Sequence, residues 1–197
     1  MKADFGQKNI VLSGVGGQGT VLASRILAEA AMQAGLPVRT AETIGMAQRG
    51  GSVFSFLRIG ENLHTPLIGP SGADLILGFE PAEAVRMLPF LKPGGCVVTG
   101  TRPVVPVSAM IGGAPYDPAE MLAFLETHAG RLVTVDGDRA LREIGSDKVM
   151  NVLLLGIAAE TGELGFDRDR LFAALENCLP PKLHEINKKA LYYRAEQ

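Results

Sequence analysis

The stretch VLSGVGGQGT, residues 11–20, constrains the fold of this chain more than any other. An apolar run ends there in glycines and passes directly into VLASRILAEAAMQAG. Gly14, Gly16 and Gly19 fit the pattern Gly-x-Gly-x-x-Gly, with Gly17 between them, in the strand-to-helix position that gives the pattern meaning. Glycines let the backbone turn tightly and approach a pyrophosphate, whose charge meets the free N–H groups and positive end of the following helix. Three readings stay open at this level: a nicotinamide or flavin dinucleotide, another phosphorylated ligand, or a structural turn that lets helix and sheet pack closely. A nicotinamide site also asks for an acidic residue about 20 positions further on. That count lands on Arg39, with Glu42 the nearest acid.

The rest of the chain repeats the alternation of strand and helix. Residues 9–13 are nearly all apolar, as in a parallel strand covered on both faces. Over residues 18–34 the polar Arg25, Glu29 and Gln33 recur every fourth position, while Val21, Leu22, Ile26, Leu27 and Ala30 fill the rest. That pattern predicts a helix with one narrow wet stripe, closed by Gly35 and Pro37. Strands are expected at 37–43, 52–60 and 73–80, then a helix at 82–88 after Pro81, then a strand in GGCVVTG. This order predicts a Rossmann-like, doubly wound, mostly parallel α/β sheet. Prolines and glycines crowd 101–118, predicting a long irregular connection. A helix at 117–128, a last strand in RLVTVDG and a helical C-terminal part from about residue 146 complete a single unit over 1–197. That part is broken around 161–166 and at Pro180-Pro181. Its final segment, KLHEINKKALYYRAEQ, has too few apolar residues for a core helix and is expected to lie across a surface or a partner.

With 47% hydrophobic and 20% charged residues, 197 residues suffice for one substantial core. The net charge of −2, without long runs of either sign, argues against nucleic acid or membrane as the main partner. No apolar run approaches the roughly 20 residues that span a bilayer, and a cytoplasmic location is expected. Cys96 and Cys178 have no Cys or His at metal-ligand spacing. An iron–sulfur cluster takes about four thiolates and a structural zinc about four Cys or His ligands, so this chain alone supplies neither and no metal site is expected. Both cysteines read as small apolar core residues. His64, His128 and His184 are scattered, and no catalytic constellation surrounds them. Asp-Gly-Asp at 136–138 reads as a turn followed by a helix cap.

A second suggestive segment is GMAQRGGSV, residues 45–53. Gln48, Arg49, Gly50 and Gly51 can combine backbone donors with a bidentate guanidinium, which suits a carboxylate or phosphate. The other reading is a loop whose Arg49 pairs with a nearby acid. Arg102, after a strand end on the same presumed edge of the sheet, is a weaker candidate.

Together, GVGGQGTVLASRILAEAA, AETIGMAQRGGSVFSFLRIG, KVMNVLLLGIAAETG and HEINKKAL resemble the small subunit of the 2-oxoacid:ferredoxin oxidoreductases. The resemblance is to the gamma-domain group and, within it, to the indolepyruvate-type beta subunit. It runs from about residue 9 to about residue 193, and MAQRGGSV is its most specific part. Where that family usually reads Glu-Thr-His-Gly, this chain has Glu42, Thr43, Ile44 and Gly45, so any polar role of the histidine is absent. The resemblance implies oxidative decarboxylation of a 2-oxoacid on thiamine diphosphate, electrons leaving through iron–sulfur clusters to ferredoxin, and the acyl group passing to coenzyme A. It further implies that thiamine diphosphate, magnesium and the clusters belong to a large alpha subunit, with no cofactor bound by this chain alone. Gly14, Gly16, Gly17, Gly19, Gln48, Arg49, Gly50 and Gly51 would then line the place where coenzyme A or the 2-oxoacid enters. Two other readings are a free-standing NAD or FAD oxidoreductase and a non-catalytic assembly or regulatory protein that has kept the fold.

Overall fold

The computed structural model describes residues 6–43, 50–104 and 116–194. The chain opens with β1 (Lys8–Val15), α1 (Thr20–Gln33), β2 (Val38–Glu42), β3 (Ser52–Ile59) and β4 (Ala73–Gly78). It continues through α2 (Pro81–Met87), β5 (Leu91–Gly100), α3 (Pro118–His128), β6 (Arg131–Val135) and α4 (Gly137–Ile144). Three helices close it: α5 (Met150–Glu160), α6 (Arg168–Cys178) and α7 (His184–Leu191). The expected strands and helices are present to within a few residues, and α4 begins the helical part earlier than position 146. Most of the connection expected at 101–118 lies outside the described residues.

One six-stranded sheet has the order β2-β3-β1-β4-β5-β6. β1, β4, β5 and β6 run parallel, whereas β3 lies between β1 and β2 and is antiparallel to both. The sheet is therefore mixed but mostly parallel.

Alternate residues of the strands feed two apolar clusters. Ile10, Leu12, Leu57, Leu75, Leu77 and Val98 pack under α1, α4, α5, α6 and α7. Val11, Phe56, Ile76 and Val97 pack under α2 and α3 through Ala84, Met87 and Leu125. From β1 the chain moves outward through α1 on one face; from β4 it moves the other way through α2 on the opposite face. The crevice at the carboxyl ends of β1 and β4 is thus the switch point where open α/β sheets bind ligands.

Helix α5 is buried on nearly every side. Helix α7 lies across it, and Ala190 and Leu191 are fully buried although the segment carries few apolar residues. Exposed aspartates cap three helices: Asp117 accepts the Ala119 N–H of α3, Asp136 the Arg139 N–H of α4 and Asp167 the Arg170 N–H of α6. Asp136 accounts for the Asp-Gly-Asp pattern as a cap. Helix α2 differs, because its cap is the fully buried Glu80. No helix among the described residues is long and apolar enough to cross a membrane.

Candidate functional site

The glycine turn joins β1 to α1 at the switch point. Gly14 is closed in: a β-carbon there would lie 2.7 Å from Gln18 Oε1 and 3.1 Å from Phe79 Cβ. Gln18 folds back into the turn, where its Oε1 accepts the Val15 N–H (2.7 Å) and its Nε2 donates to the Phe79 carbonyl (3.1 Å). Gly17 has φ +104° with no described residue, chain neighbours aside, within 4 Å of its missing β-carbon, so the backbone conformation itself favours glycine there. Gly19 caps α1 at φ +83°, and a β-carbon would lie 2.5 Å from Asn151 Nδ2, which donates to the Gly19 carbonyl at 3.2 Å.

The second glycine segment is stitched to the first. The Gly16 N–H donates to Gly51 O at 2.8 Å, and the Gly50 N–H donates to Gly16 O at 3.3 Å. Gln48 and Arg49, and Ile44 with them, lie outside the described residues. The N–H groups of Val15 and Gln18 are thus engaged within the turn itself and that of Gly16 by Gly51. No described side chain caps the head of α1, and its first-turn N–H groups carry the positive end of the helix dipole.

Two cavities flank the turn, and Gly17 borders both. One of about 450 Å³ lies between the head of α1 and the β2–β3 edge, lined by Gly16, Gly19, Val21, Thr43 and Val53 among others. Val21, expected on the packed side of α1, is instead 45% exposed on this cavity. The other, of about 460 Å³, is bordered by Gln18, Phe79, Arg102, Lys148 and Met150. Arg102 therefore stands on the expected edge, next to the turn. Its guanidinium pairs with Asp138 (3.3 Å) and reaches Asp147 at 4.0 Å.

Beneath the turn, at the head of α2, are two buried carboxylates that sequence reasoning missed. Glu80 is fully buried and accepts from the Tyr116 hydroxyl and the Glu83 N–H (3.0 Å). Glu83 is 3% exposed and accepts from Ser52 Oγ at 2.5 Å, with Arg86 at 3.3 Å. Burial pushes the Glu83 carboxyl above the usual range, and neighbouring Glu80 pushes the same way; Ser52 and Arg86 oppose it. Burial and the bond to Glu80 raise the Tyr116 phenol. Asn151 and Lys148 were also missed. The one local signal was an asparagine beside the apolar run of α5.

The histidines and cysteines stand apart from this region. His64 and His128 are exposed, and the half-buried His184 bonds the Leu179 carbonyl at 2.8 Å. Cys96 is buried, which pushes its thiol up to about 11, and Cys178 is half-buried against the core. Among the described residues, no three of His, Cys, Asp or Glu gather as a metal site. The strand order departs from that of a dinucleotide fold. The acid that binds the ribose normally ends the strand next to β1, whereas here β3 separates β1 from β2, the strand that ends in Glu42, and Glu42 lines the cavity beside the turn.

The family described as pyruvate ferredoxin/flavodoxin oxidoreductase matches residues 9–193. The chain is 40% identical to the indolepyruvate oxidoreductase subunit IorB of Archaeoglobus fulgidus, over 93% of this chain and 91% of that one. Among solved structures it is similar to a keto/oxoacid ferredoxin oxidoreductase gamma subunit from Geobacter sulfurreducens. That likeness has a TM-score of 0.66 at 23% identity and covers 93% of this chain and 94% of the other. It is also similar to part of a 2-oxoglutarate:ferredoxin oxidoreductase from Magnetococcus marinus, solved with 2-oxoglutarate, coenzyme A and succinyl-CoA bound. There the TM-score is 0.70 at 20% identity, over 94% of this chain and 30% of that one. At these identities the two structural likenesses are likenesses of fold.

Proposed function

This chain belongs to the pyruvate ferredoxin/flavodoxin oxidoreductase family, and from that premise we infer that it is the small subunit of an indolepyruvate-type 2-oxoacid:ferredoxin oxidoreductase. The near end-to-end match to a subunit of an indolepyruvate oxidoreductase supports the arylpyruvate branch. In this reading a large alpha subunit carries the redox chemistry, and the complex passes electrons to ferredoxin. This chain's own donor set does not fit an iron–sulfur cluster: it has two cysteines, one of them buried, against the roughly four thiolates a cluster takes. It also lacks the Gly-Asp-Gly with downstream Asn of a metal-bound thiamine diphosphate. In this reading the chain acts by binding and orienting and needs the large subunit for turnover.

The observation that carries this reading is the head of α1. It is uncapped by any described side chain and set between two cavities at the switch point, one bordered by Glu42 and the other by Arg102, Lys148 and Asp147. Fixed N–H dipoles and a guanidinium hold negative charge without reorganising, which is what the phosphates of coenzyme A or the carboxylate of a 2-oxoacid require. Gly14, Gly16 and Gly19 shape the turn, Gly50 and Gly51 buttress it, and Gly17 keeps it open to both cavities. Gln48 and Arg49 supply the side-chain donors.

Arg49→Ala in the complex reconstituted with the large subunit tests the site. We expect the Michaelis constant for coenzyme A or the 2-oxoacid to rise about tenfold or more, the effect of losing a charge-assisted hydrogen bond. Unchanged constants for both, with unchanged turnover, would remove these loops from the binding site. Substrate oxidation by the isolated chain would overturn the subunit reading itself.

A further inference from the structure

Helix α2 is capped in an unusual way for this molecule. Where α3, α4 and α6 use exposed aspartates, α2 buries Glu80 completely and places the nearly buried Glu83 one turn on. Two carboxylates withdrawn from water beside each other are unfavourable unless their oxygens are well bonded. A cap alone needs neither the burial nor the second acid. What the pair achieves is reach across to the loops around the glycine turn.

Each carboxylate holds a different piece of chain. Glu83 Oε2 accepts from Ser52 Oγ at 2.5 Å, and Ser52 opens β3 directly after Gly50 and Gly51, whose main chain exchanges two hydrogen bonds with Gly16. Glu80 accepts from Tyr116, just ahead of α3, and from the Glu83 N–H, which fixes the two acids relative to each other. Gln18 closes the circle by donating to the carbonyl of Phe79, the neighbour of Glu80. The groups facing Glu83 are Ser52 from β3, Arg86 from its own helix, and Glu80 and Tyr116 from the adjoining segments.

We infer that Glu83, acting through Ser52, is a positioning residue that holds the Gly50–Gly51 segment against the glycine turn, with Glu80 keeping α2 and Tyr116 in register beneath it. This rests on the reading that the turn and the Gly50–Gly51 segment face an anionic substrate. Glu83 touches no substrate; it sets where the second loop sits.

Ser52 is exposed, so Ser52→Ala removes the link without opening the core. In the reconstituted complex this variant should raise the Michaelis constant for coenzyme A or the 2-oxoacid about tenfold, since a hydrogen bond to a charged group is lost, and leave turnover within about twofold. Ser52→Thr keeps the hydroxyl and should restore the constant. Glu83→Gln still accepts from Ser52 and should fall between the two. In the full chain, amide hydrogen exchange at Gly16 and Gly50 should accelerate in Ser52→Ala and return to normal in Ser52→Thr. Wild-type constants in Ser52→Ala overturn the inference, whether or not exchange accelerates. Comparison with Arg49→Ala separates the two ideas. A raised constant in Arg49→Ala beside a normal one in Ser52→Ala leaves the anion site standing and removes the positioning role. Normal constants in both remove the site as well.

Discussion

The head of α1 and the contact between α5 and α7 both depend on glycine, and they use it to opposite ends. At Gly156 a β-carbon would lie 2.1 Å from the Leu191 carbonyl oxygen, so the missing side chain lets two backbones touch. Arg168 then seals the layer: Nε donates to Gly156 O (3.1 Å), Nη2 to Tyr193 O (3.0 Å), and Nη1 pairs with Glu160 at 2.8 Å. The Gly156 and Tyr193 carbonyls and the Arg168 guanidinium are satisfied inside the layer. At Gly17 the missing side chain brings nothing closer; it lets the chain adopt a left-handed turn and keeps the space above open. Gly156 serves packing, as Gly14 and Gly19 also do beside the turn, whereas Gly17 serves to leave the backbone open to a cavity.

The sharpest way to break this contrast is Gly156→Ala. The clash is with backbone, so the helices must separate, and overpacking of that kind costs about 3 kcal/mol. Urea unfolding of the full chain should show that loss, while the Michaelis constants of the assembled complex stay unchanged. A loss below about 1 kcal/mol would mean the layer yields easily and is not the rigid region described here.

Gly17→Ala should be milder in stability and harsher in function. With no atom of the described residues, chain neighbours aside, within 4 Å of the new β-carbon, the expected penalty is left-handed backbone strain, about 1 to 2 kcal/mol. If the turn faces an anionic substrate, relief of that strain reshapes the donors, and the Michaelis constant should rise by more than the stability loss alone accounts for. An effect confined to the unfolding midpoint would place the two glycines in the same structural class.

The same contrast explains what could be read from the sequence. The strand at 9–13, the helix at 18–34 and the strand at 52–60 were legible because burial imposes local periods on the residue pattern. The direction of β3 was not, since an alternating strand has the same pattern whichever way it runs. Gly14 to Gly19 announced themselves through spacing, whereas Gln18, Asn151 and Glu83 act through partners 61, 132 and 31 positions away. Glu80 before Pro81 reads locally as an ordinary cap. Helix α7 looked too polar for a core because what seats it is a close approach at Gly156, which no count of apolar residues registers.

The smallest expected effect concerns the acids of the two regions. In the helical layer Glu29 links α1 to α6 by accepting from Asn177 (2.8 Å) and from Gln33 (3.0 Å), and these bonds lower its carboxyl below the usual range. Glu83 is shifted the other way, chiefly by burial. The signs follow from linkage. A lowered carboxyl contributes stability that is present above its unfolded value, about 4.3 for glutamate, and lost as pH falls through the folded value. A raised carboxyl contributes stability that is complete below that unfolded value and lost as pH rises through the folded one. Measured from about pH 3 to about pH 8, the stability of Glu83→Gln relative to wild type should therefore increase as pH rises from the unfolded value of about 4.3 through the raised folded value. That of Glu29→Gln should decrease over a window beginning lower, because wild type gains the ionised bond that the variant lacks. Parallel slopes in the two variants would mean that the head of α2 carries no burial penalty, and the buried acids would then differ from the helical layer in location only.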